Sequence, residues 1–115
     1  AQELRAEQTQ EQLLDAFIFF MQGICQSVKD VDMQDFESEV KVELEALSIL
    51  MSANQRLDDR MLLNTLLMAQ YAQMLTACYE KYCEFYGPAK ADQVYASIKR
   101  QVKTHYPSVD LHWLI

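Results

Sequence analysis

The sequence predicts an all-α domain, a four-helix bundle connected most simply up and down, with an apolar C-terminal tail. Three observations carry this. Apolar residues recur every three or four positions over four long stretches. Glycine and proline occur only twice each in 115 residues, which leaves long elements joined by short links. The one internal segment that alternates like a strand, EVKVELE at 39–45, loses its alternation when the window is widened. Met33, Phe36, Val40, Leu44, Leu47 and Met51 cover eighteen positions in five steps, which is the period of a helix. A lone strand would also leave its backbone groups without a pairing partner.

The first helix is expected over about 9–29, starting between Gln2 and Gln12, with Thr9 and Gln12 as its capping box. Leu13, Phe17, Phe20, Ile24 and Val28 form its inward stripe. The second is expected over 33–53, with Asp32 as N-cap, Asp35 as the capping-box carboxylate and Val31 stapled onto Phe36. Val42, Ala46, Ile49 and Ala53 form a flanking ridge on it. Asp58 is the expected cap of a third helix over 59–86, with Leu57 and Leu62 as its staple. Gly87 then closes that helix, and Pro88 opens a fourth over 88–104 with Val94, Ile98 and Val102 facing inward. Tyr106-Pro107 stops it. The tail, 105–115, alternates through Val109, Leu111, Trp113 and Ile115, and either folds back to cap the bundle or docks on a partner.

A chain of this length is one domain that can bury a core without metal or disulfide staples. Three cysteines, Cys25, Cys78 and Cys83, are an odd number without metal-ligand spacing, so they read as core residues of a protein kept in a reducing compartment, the cytoplasm. No signal peptide or membrane span is visible; the most apolar run, at 13–28, is interrupted by Asp15, Gln22 and Gln26. The net charge of −7 argues against a non-specific nucleic-acid binder and an anionic membrane surface. That charge is uneven: residues 1–87 carry six Lys or Arg against fifteen Asp or Glu, and residues 88–115 carry four against two.

No constellation for catalysis or cofactor binding stands out. His105 and His112 lack a carboxylate one turn before them, as a bundle metal site requires. His105 suits the last turn of a helix, where it complements the dipole. Asp30 and Asp32 have the spacing of a calcium loop, but Asp35 stands where glycine is needed and Lys41 where glutamate is. Asp58-Asp59-Arg60 is followed by no further carboxylate one turn on, and Cys78 and Cys83 lie among tyrosines where burial quiets a thiol. With only Gly23 and Gly87 there is no phosphate-cradling loop. No enzyme and no cofactor are expected.

Two features exceed a minimal bundle. The first and third helices are apolar around most of their circumference, as though buried on more than one side. Tyr79, Tyr82 and Tyr86 form a ridge in YEKYCEFY at 79–86, alongside six methionines in the chain, a composition suited to an adaptable interface. The expectation is a non-enzymatic binding module (adaptor, escort chaperone or small regulator) that holds a protein partner and forms a homodimer. Its surface would use Leu14, Ile18, Phe19, Met68, Tyr71, Tyr79, Tyr82, Tyr86, Leu111, Trp113 and Ile115, with Phe17, Phe20, Leu66 and Leu67 extensively buried. The alternatives are weak nucleic-acid association through Lys90, Lys99, Arg100 and Lys103 of the last helix, or a small ligand held between the helices.

Overall fold

The computed structural model describes the backbone of residues 2–114 and the side chains of residues 10–112 and 114. The expectations placed on the side chains of Thr9 and Trp113, and on Ile115, lie outside the described residues. Among the described residues the chain is all-helical without a strand. It forms α1 (Gln2–Ser27), α2 (Asp30–Ala46), α3 (Arg60–Leu63), α4 (Met68–Tyr86) and α5 (Pro88–His105), then a 3-10 turn at Leu111–Trp113. EVKVELE lies within α2.

Five helices replace the expected four because the third is broken. The C-cap of α3 is Asn64, and the Thr65 hydroxyl donates to the Leu62 carbonyl at 2.6 Å. Asn and Thr are weak helix formers that offer the backbone local alternatives, and four residues pass before α4 starts. The cap of α3 is Asp59, which accepts from the Met61 N–H at 2.9 Å, one residue after the expected Asp58.

The second helix ends seven residues earlier than its stripe implied, at Ala46 instead of 53. Ser48 takes φ 62, its N–H donates to the Glu45 carbonyl at 3.0 Å, and the Ile49 N–H donates to the Leu44 carbonyl at 2.9 Å. This is a Schellman stop with a serine where glycine is usual. Its hydrophobic clasp is present too, since Leu44 and Ile49 are both buried. Leu47 and Met51 kept the helical spacing across the stop, which concealed it.

The start of α2 also differs from expectation. Lys29 is the N-cap and makes no side-chain cap, Asp32 lies inside the first turn, and Val31 is 86% exposed and staples nothing. The α1 start at Gln2 is the early limit of the expected range, so Thr9 lies within the helix and not at its start. By contrast the Gly87-Pro88 junction is as expected. Gly87 has φ 89 and ψ 155, a region essentially closed to other residues, and serves both as C-cap of α4 and as N-cap of α5.

In the packing, α1 lies along α5, α5 along α4, and α4 along α2, while α1 also touches α3 and α4. The two first helices do not pair along their length. The segment 47–59 contributes Ile49 and Leu57 to the common core, and is pinned to α2 by the Leu57 N–H donating to Glu37 at 3.1 Å and by Lys41 donating to the Ala53 carbonyl at 3.2 Å. Every residue of the expected α1 stripe is buried, and so are Ala16, Ile18, Met21 and Cys25. Much of the apolar girth of this helix is therefore enclosed by its own chain, while Leu14 and Phe19 stay half-buried at its surface.

Candidate functional site

Three of the residues expected at an interface belong to the core. Ile18, Tyr71 and Tyr82 are 4%, 5% and 0% exposed. Tyr71 stacks on Phe17 with ring centroids 4.3 Å apart. The Tyr82 hydroxyl donates to the Ser27 carbonyl at 3.3 Å, which satisfies a free carbonyl at the end of α1. One turn on, the half-buried Tyr86 hydroxyl accepts from the Lys29 N–H at 3.0 Å and donates to Asp32 at 2.7 Å, so α4 supplies the cap that the start of α2 lacks. Burial and the Asp32 carboxylate push the Tyr86 phenol up from its usual range. The tyrosine ridge is thus largely a fastening between α4 and the α1–α2 corner.

The tail folds back. Val109 and Leu114 are buried, Leu111 is half-buried against the core, and the last turn packs on α4. Phe19 is half-buried under His105 and Tyr106, with centroids 5.1 and 6.1 Å away. Of the two expected fates of the tail, Val109, Leu111 and Leu114 follow the first, folding back on the body.

Leu14, Met68 and Tyr71 are brought together at one surface. They line a groove of about 450 Å³ between α1 and the link from α3 to α4, together with Gln10, Glu11, Asn64, Leu66 and Leu67. Leu66 is half-buried, whereas Leu67, expected in the core, is 70% exposed. Met61, on α3 just before the link, is 81% exposed. Leu67 occupies the N-cap of α4, where its side chain can accept no hydrogen bond, while Gln70 reaches back to accept from the Leu67 N–H at 2.8 Å. Sequence reading missed this residue by running one helix through it. The signal was Asn64-Thr65 followed by a glutamine three residues after Leu67.

The basic residues of α5 do not form one patch. Lys90 and Lys99 are nine positions apart, two and a half turns, which sets them on opposite sides of the helix. Lys99, Arg100 and Lys103 make no ion pairs among the described residues. All three cysteines are free. Burial, then Asp58 and Glu37, pushes the Cys25 thiol up to about 12, and burial raises that of Cys78 further, so neither is a ready nucleophile. Among the described residues no group of His, Cys, Asp or Glu is placed to hold a metal ion, and no helix is long and apolar enough to cross a membrane. No family model, curated protein or solved structure matches the chain. Function therefore rests on the surfaces themselves.

Proposed function

We propose that this chain is a non-enzymatic protein-binding module, of the adaptor, escort or small-regulator kind, which pairs with a second copy of itself through the groove between α1 and the α3–α4 link. The observation that carries the reading is Leu67. An N-cap favours Ser, Thr, Asp or Asn, and a residue that cannot cap forfeits about 0.5–2 kcal/mol. Leu67 neither caps nor packs in the core, being 70% exposed. A residue that breaks a local rule without return inside the monomer is accounted for by contact with another molecule. Projecting Leu67 and receiving groove share one patch, so a two-fold axis lets each copy fill the other. The three free cysteines support a reducing compartment such as the cytoplasm.

Leu67→Ser tests this with two readouts of opposite sign. The serine completes the capping box with Gln70, so the monomer gains about 1 kcal/mol. Light scattering on the eluted protein then shows a lower dimer fraction than wild type despite the higher melting temperature. A variant that is more stable and equally dimeric would remove Leu67 from the interface; a wild type that is monomeric at about 100 µM, where even weak pairs associate, would remove the homodimer.

A further inference from the structure

Where the tail folds back on α4, a second cleft of about 310 Å³ is enclosed by Leu75, Thr76 and Tyr79 of α4, Asp92 and Tyr95 of α5, and Leu114. Leu75 and Leu114 are 2% and 1% exposed and give it an apolar floor. The rings of Tyr79 and Tyr95 meet edge to face, with centroids 5.1 Å apart and planes at 76°, so they form two walls of a corner. Both hydroxyls are already committed. That of Tyr95 donates to the Leu75 carbonyl at 2.7 Å, and that of Tyr79 donates to the Asp92 carboxylate, fixing the carboxylate at the rim.

Among the described residues Asp92 is the only charged one of the lining, and no Lys, Arg or His pairs with it. The chemistry of the occupant follows by comparing what each class would leave unmatched. Among the described side chains an anion finds the Thr76 hydroxyl as its only uncommitted donor and faces a carboxylate. A neutral apolar molecule matches rings and methyl groups but leaves the rim carboxylate without a counter-charge. A small organic cation matches both, with its ammonium beside Asp92 and over the aromatic corner and its apolar body on Leu75 and Leu114.

We infer that this cleft binds a small organic ammonium ion with an apolar or aromatic body, with Asp92 as counter-ion held in place by Tyr79. Its volume is at the lower end of ligand pockets, roughly 300–1,000 Å³, which suits one ring and a short amine arm. The chain's net charge of −7 adds a general attraction for cations. None of this depends on the Leu67 groove or on self-association.

The test is an NMR titration of the full chain with phenethylammonium and with its neutral analogue 2-phenylethanol, following aromatic and methyl signals of Tyr79, Tyr95 and Leu114. The ammonium is expected to bind at least roughly tenfold more tightly than the alcohol. Asp92→Asn, at an exposed position that leaves the fold intact by circular dichroism, brings the two within about twofold. Thr76→Trp, which fills the mouth from an exposed position, blocks both. Equal binding of alcohol and ammonium would overturn the inference, as would shifts spread over the acidic surface and unchanged in Asp92→Asn, or no shifts at these three residues at about 10 mM ligand.

Discussion

At Ser48 the chain takes φ 62 without a glycine, and a left-handed conformation costs an ordinary residue about 1–2 kcal/mol. Ser48 is exposed, and its hydrogen bonds at this stop are made by backbone atoms, so the side chain can be removed without loss of a contact. Ser48→Gly is therefore expected to raise stability by about 0.5–1 kcal/mol, after the extra chain entropy of glycine is subtracted, as read by urea unfolding. A fall in the denaturation midpoint would mean that the serine has a role that the Schellman geometry does not show. Gly87 is the converse case, with its own φ of 89 matched to its residue type. The glycine was legible in the sequence for this reason, and the serine was not, because any residue can be forced into a turn when Leu44 and Ile49 hold the two sides together.

Helices were legible where apolar spacing and chemical stop signals agreed, as along α1 and across Gly87-Pro88 into α5. They were misread where spacing continued past a stop, as at Leu47 and Met51, or where the stop was two weak helix formers, Asn64 and Thr65. The start of α2 shows a third limit. Its cap comes from Tyr86, more than fifty residues away in sequence, and no local pattern can announce a partner on another element. Tyr86→Phe keeps the ring and removes the hydroxyl, which is expected to cost about 0.5–1.5 kcal/mol. Hydrogen exchange should quicken at the amides of 29–33 with little change along α5; uniform acceleration of the whole chain would show instead that the hydroxyl supports the core and not the helix start.

On the scale of the molecule, no polar or charged residue is buried among those described, so the interior responds to pH through its thiols and phenols. The Cys25 thiol is raised from 9.0 to about 12 by burial, then by Asp58 and Glu37. Between those values the unfolded chain has released a proton that the folded chain retains, so rising pH favours unfolding. The contribution is complete below pH 9 and is lost as pH climbs toward 12; Cys78, Tyr71 and Tyr95, all raised first by burial, act in the same direction. Melting temperature in reductant is expected to fall between pH 8 and about 10.5, and Cys25→Ala to shallow that fall even though it lowers stability at neutral pH. An unaltered slope would assign the alkaline sensitivity to other groups. The candidate groove was legible in part at this scale: Leu14, Met68 and Tyr71 were singled out by excess apolar girth, yet the same criterion also gathered the buried Ile18, because girth alone does not tell which neighbours the chain itself supplies.

The pairing of α1 with α5 also orders events in time. Sixty residues, 28–87, separate the two helices, so a ribosome working at about 5–20 residues per second leaves the apolar stripe of α1 without its main cover for roughly 3–12 s. During that interval Phe17, Phe20, Met21 and Ile24, all at 0% exposure once folded, stand on a nascent chain as a sticky surface. Whatever shields that stripe while the remainder is synthesised is as much a condition of the fold as any contact within it.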